Sequence, residues 1–110
     1  MSQEIIRLSK AMADVVEERR RQDAEEGHST THDDLHDGGE LVDNAMECCC
    51  AAIAAGHGHR GFPHQAHPSW GLGNKHREDP RRLLVIAAAL VLAEIERLDR
   101  QAARRREAKS

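Results

Sequence analysis

DPRRLLVIAAALVLAEIERLDR, Asp79 to Arg100, holds a helix start, a fully apolar run and an amphipathic continuation without a break. Asp79 followed by Pro80 predicts an N-cap with proline at the first helical position, where its missing N–H costs nothing. Leu83 to Ala93 is apolar on every side. Such a segment needs protein around it on all faces, a second subunit included. The remainder, EIERLDRQAARRREAKS, turns amphipathic and then wholly charged. Its arginines suit the negative pole of a helix, and residues 101–110 read as a charged tail that frays.

Upstream, Leu35, Gly39, Val42, Met46, Cys49 and Ile53 step by four and three, which predicts a second helix with that stripe in the core. Thr31 with Asp34 forms an imperfect capping box at its start, and Gly56 closes it. Gly38 and Gly39 within this pattern cost about 1 kcal/mol each relative to alanine, which implies close approach of another backbone or a ligand. A first helix is expected from about residue 3 to about 25, capped by Ser2, with Ile5, Leu8, Met12 and Val15 on its apolar side. Its second half, VEERRRQDAEE, is nearly all charge, so those turns are either solvated or line a polar site.

Residues 56–79 change character: five histidines, glycines and prolines occur without sustained periodicity, which predicts a long loop. Trp70 and Phe62 within it read as anchors on the helical core, with base stacking by Trp70 as the alternative. His-x-His spacing in GHGHRG permits metal binding but does not enforce it, and a mobile polar loop is the plainer reading. No strand pattern or internal repeat is present. The chain therefore reads as one all-α domain over residues 1–110, with three principal helices, a long central loop and a bundle completed by oligomerisation to a dimer or higher assembly.

Composition narrows the functional classes. The 110 residues carry 16 Lys and Arg against 19 Asp and Glu, a formal net charge of −3 with no dominant basic stripe, which argues against nucleic acid as the partner. With Phe62 and Trp70 as the sole aromatics, burial falls to aliphatic and small residues, and so light a core favours assembly. Cys48, Cys49 and Cys50 are consecutive, a poor disulfide framework, and read as reduced thiols of a cytoplasmic protein. The N-terminus shows no signal-peptide pattern, and the eleven apolar residues of Leu83–Ala93 are too few to span a bilayer, so no membrane association is expected.

HDDLHDGGEL, His32 to Leu41, crowds two imidazoles and four carboxylates together. On a continuous helix His32, His36, Glu40, Asp43 and Glu47 fall on one stripe, where imidazoles four apart could chelate a transition metal and the carboxylates a hard cation. The plain alternative is a solvated helix entrance. Against it, Glu40, Asp43 and Glu47 have no basic neighbour on their own stripe. Glu94, directly after the apolar run, adds a candidate inward-facing carboxylate, and buried acids are paired or bind metal. Glu96 and Asp99 form an E-x-x-D pair that Arg97 and Arg100 can neutralise.

The runs ERRRQDAEEGHSTTHDD, GEL and DPRRLLVIAAALVLAEIERLDR resemble a family of small phage and prophage proteins, themselves similar to MazG-like all-α nucleoside triphosphate pyrophosphohydrolases. Such enzymes carry E-E-x-x-E on one helix and E-x-x-D on the next. HDGGEL matches the first motif at Glu40 and loosely at Asp37; at the second the sequence has Arg81, Arg82 and Leu83, with Glu78 and Asp79 close by. The resemblance implies hydrolysis of a nucleoside triphosphate to monophosphate and pyrophosphate, with Mg²⁺ or Mn²⁺ held by carboxylates of two helices. Glu40, Asp43 and Glu94 are then the catalytic and metal-ligating residues, His32 and His36 further ligands, and Glu17 or Glu18 contributors. Arg19, Arg20, Lys75 and Arg77 are the phosphate contacts, because guanidinium forks fit phosphate oxygens. A phage-encoded protein of this kind works in the host cytoplasm. The other reading is a non-catalytic helical protein that sequesters a nucleotide or blocks a host factor.

Overall fold

The computed structural model describes residues 7–25, 39–57 and 79–109. Within them the chain forms three helices, α1 (Lys10–Glu25), α2 (Glu40–His57) and α3 (Pro80–Lys109), and no strand. The expected all-α architecture holds. Most of loop 56–79, the Thr31–Asp34 capping box, Phe62 and Trp70 lie outside the described residues.

α3 is the central element: α2 packs along one side of it and α1 along another. Its start follows the predicted chemistry. The Asp79 carboxylate accepts the Arg82 N–H at 3.0 Å and the Asp79 carbonyl accepts the Leu83 N–H at 3.0 Å, with Pro80 between them. Its end differs from expectation, since residues 101–109 are helical rather than frayed. Arg106 and Lys109 in the last turn complement the C-terminal dipole, and Gln101 and Ala103 retain partial burial.

The core is formed by Leu41, Ala45, Cys48 and Ala52 of α2 against Leu83, Ile86, Ala87, Leu90 and Ala93 of α3. This is one residue out of register with the predicted α2 stripe: Val42 and Met46 are exposed, and Cys49 and Ile53 half-buried. Both stripes repeat every four and three residues. The stripe that wins is the one whose Ala45, Cys48 and Ala52 are small enough to let the two backbones approach, so that Leu83, Ile86 and Leu90 fill the space between them.

α1 also departs from its predicted polarity. Ser9, not Ser2, caps it, accepting the Met12 N–H at 3.1 Å, and the helix begins at Lys10. Leu8 and Met12 are exposed, whereas Glu18 and Gln22 are buried. Val15 of the predicted stripe is half-buried, and ion pairs tie this helix to α3: Asp14 with Arg81, Glu18 with Arg82 and Arg19 with Glu96. The apolar run of α3 is likewise not enclosed by α1 and α2, since Leu84, Ala88 and Val91 are exposed.

Candidate functional site

The buried polar face of α1 meets the start of α3 in a groove of about 510 Å³. Asp14, Glu18 and Arg21 follow one another by four and three residues, so they share one face of α1. The Asp79 cap fixes the first turn of α3 and thereby aims Arg81 and Arg82 at that face. Glu17 and Arg20 complete the rim of the groove.

Glu18 is the centre of this arrangement, with a side chain 1% exposed. Its carboxylate accepts from Arg21 Nε at 2.9 Å and Nη2 at 2.7 Å, a fork-to-fork pair, and from Gln22 Nε2 at 3.1 Å. Arg82 Nη2 approaches the same group from α3 at 2.6 Å. Burial alone would raise the Glu18 pKa; hydrogen bonds from Arg21 and Arg82, reinforced by their charges, outweigh it and hold the carboxyl below its ordinary value. Asp14 is held low in the same way by Lys10 at 3.1 Å and Arg81 at 2.8 Å.

These shifts have a pH consequence. A carboxyl whose folded-state pKa lies below the ordinary 4.5 favours the fold above that pH, and the benefit disappears as pH falls through the folded-state value. Between about pH 7 and pH 3 the wild type should therefore lose more melting temperature than Glu18→Gln. Parallel curves for the two proteins would show that Glu18 is not the responsible group.

The carboxylates anticipated as metal ligands are differently placed. Glu40 and Asp43 stand in the first turn of α2, half-buried and each already engaged by another group. Gly39 precedes them at φ +92°, a conformation that L side chains rarely adopt, so the helical stripe carrying Glu40, Asp43 and Glu47 begins at Glu40. His32 and His36 lie outside the described residues. Glu94 is inward-facing as predicted, yet Arg97 of its own helix takes both of its oxygens, at 2.5 and 3.2 Å. Among the described residues no three His, Cys, Asp or Glu side chains gather as a cation would require. The described part of the expected Mg²⁺ or Mn²⁺ set therefore does not fit a cation centre of three converging carboxylates.

The phosphate candidates divide. Arg19 turns away from the groove and pairs with Glu96 of α3 at 3.0 Å, which accounts for half of the E-x-x-D pair. Arg20 lines the groove and is exposed. Lys75 and Arg77 lie outside the described residues. Arg21, Arg81 and Arg82 were not anticipated as groove residues. The signal for Arg21 was its spacing of three from Glu18 and seven from Asp14 within VEERRRQDAEE; nothing local to Arg81 and Arg82 foretells that they face α1.

Two further features lie outside the groove. Burial, then the neighbouring Glu47 charge, pushes the Cys48 thiol up to about 12, so it behaves as a small core residue rather than a nucleophile. Gln22 Oε1, Asn44 Oδ1 and Glu47 Oε2 are buried acceptors with no partner among the described residues. No helix of the described residues is long and apolar enough to cross a membrane. Comparison with known protein families, with characterised proteins and with solved structures finds no match for this chain.

Proposed function

We propose that the groove between α1 and α3 binds the phosphates of a nucleoside triphosphate, and that the protein hydrolyses it to nucleoside monophosphate and pyrophosphate, the activity its MazG-like resemblance implies. The observation that supports this reading best is the convergence of Arg20, Arg21, Arg81 and Arg82 from two helices on one groove that also holds Glu17 and Glu18. Guanidinium forks match phosphate oxygens, and the exposed Arg20 and Arg81 are the arginines placed to take them while Arg21 and Arg82 stay on Glu18. In the hydrolytic step water attacks the α-phosphorus and pyrophosphate leaves. Arginines over the bridging oxygens offset the charge that develops there, and the exposed Glu17 is the carboxylate beside it that orients the water and takes its proton, while Glu18, buried on Arg21, Gln22 and Arg82, holds the arginines in place. Dependence on Mg²⁺ or Mn²⁺ enters this reading only through the resemblance, since the described carboxylates do not converge on a cation centre.

One observation favours binding without turnover: Glu18 and Glu94 are each already neutralised by arginine. Pyrophosphate release from a panel of nucleoside and deoxynucleoside triphosphates, with and without Mg²⁺ or Mn²⁺, distinguishes the two. In either case the exposed pair Arg20→Ala/Arg81→Ala should weaken triphosphate binding about tenfold or more, given about 1.5–3 kcal/mol for hydrogen bonds to charged groups. Saturable binding that the double variant leaves unchanged would remove the groove from consideration, and no binding to the wild type would end the nucleotide reading altogether.

A further inference from the structure

α3 presents a third face that neither α1 nor α2 covers. Leu84, Ala88, Val91, Ile95, Leu98 and Ala102 are all exposed, the four large side chains among them by between 42% and 52%. Their spacing is four, three, four, three, four, the repeat of a two-helix seam. The residues packed against α2, Leu83, Ile86, Leu90 and Ala93, occupy a different side of the same helix. Among the described residues nothing covers this seam.

We infer that this face is a homodimer interface in which two copies of α3 lie antiparallel. The order of side-chain sizes along the seam carries the argument. When the helix is laid on a reversed copy centred at Ala93, Leu84 meets the partner's Ala102, Ala88 meets the partner's Leu98, and Val91 meets the partner's Ile95. Large faces small at both ends, and Val91 meets Ile95 in the middle, so no layer sets two small side chains against each other. A parallel pairing sets Ala88 and Ala102 against their own copies and leaves those layers underfilled. The seam is thus complementary to itself under a two-fold axis, which is what an isologous contact requires and what an unrelated partner would match only by accident. One seam step further out, three residues beyond each end, Arg105 would come opposite the partner's Arg81, so like charges end the contact.

The area sets the strength. From residue 84 to 102 the seam runs about 27 Å at 1.5 Å per residue and about 10–12 Å across, a footprint on the order of 300 Å² per copy. Two such faces fall short of the roughly 1,000 Å² of a stable interface, so the contact belongs with weak, transient dimers.

Sedimentation equilibrium of the full chain from about 5 to about 500 µM tests this directly. The weight-average mass of the wild type should climb from 12.3 kDa toward twice that value. Ile95→Glu places a charge on a residue exposed in the monomer, and should remain at 12.3 kDa throughout with unchanged helical circular dichroism. Ala88→Leu should weaken the dimer at least tenfold by overfilling the layer shared with the partner's Leu98, and Ala88→Leu/Leu98→Ala should restore it to within about threefold by exchanging large for small inside that layer. A wild type that stays monomeric, or an Ile95→Glu protein that associates like wild type, overturns the interface. Tightening by Ala88→Leu overturns the antiparallel register, because only a parallel pair has an empty layer there to fill.

Discussion

Arg21→Ala/Arg82→Ala is expected to lose about 3–5 kcal/mol of folding stability at neutral pH, the cost of leaving a buried charge uncompensated. Among the described residues Glu18 would retain only Gln22 as a donor, at 3.1 Å, around a side chain 1% exposed in the wild type. The loss is not the worth of the ion pairs themselves. Adding Glu18→Leu to the same double variant removes the stranded charge and should recover most of the deficit, since a buried ion cluster replaced by apolar volume is often neutral or better. Lowering the pH below the ordinary carboxyl value of 4.5 should shrink the deficit of the double variant as well, because Glu18 can then bury itself neutral. Urea denaturation of the wild type, the double and the triple variant measures all three. A double variant within about 1 kcal/mol of wild type would mean that α1 is not held to α3 by this cluster.

The second large effect belongs to the interface of α2 and α3. Leu90 is 1% exposed in the centre of the core, opposite small residues that cannot expand to replace it. Leu90→Ala should cost about 2–5 kcal/mol through lost transfer energy and the cavity left behind. In a chain with few large apolar groups this is a considerable share of a total of roughly 5–15 kcal/mol. Leu84→Ala, at a residue half-exposed on a different side of the helix, should cost well under half as much when measured at low protein concentration. Equal losses at the two positions would contradict the placement of the core on the Leu90 side.

The contrast between α1 and α3 shows which parts of this molecule were legible in advance. α3 was readable from its first residues: aspartate then proline imposes a helix start through hydrogen bonding and ring geometry that need no knowledge of the rest of the chain. α1 was readable as a helix but not in its orientation. Its apolar stripe, Leu8 and Met12 among it, suggested an inward face, yet Glu18 and Gln22 are what it buries. That inversion rests on Arg82, which lies far from Glu18 in the chain and reaches it at 2.6 Å across the helix pair. No spacing within VEERRRQDAEE reveals a partner supplied by another helix. Glu94 is legible as inward-facing, while its neutralisation by Arg97 is not, because the spacing of Arg97 serves the Glu96 and Asp99 pair equally well.

Helical class, the capped start of α3 and the spacing of its outer seam follow from residue order alone, because capping, proline geometry and a repeat of four and three are properties of a single helix wherever it sits. The register of α2 does not. Two adjacent stripes on that helix were both apolar enough, and hydrophobicity ranks Val42, Met46 and Ile53 above Ala45, Cys48 and Ala52. Closeness of approach reverses the ranking once α3 brings Leu83, Ile86 and Leu90 to fill the gap. The same holds for the groove: its arginines and carboxylates are ordinary surface residues on each helix taken separately, and become a shared, partly buried charge cluster only when two helices cross.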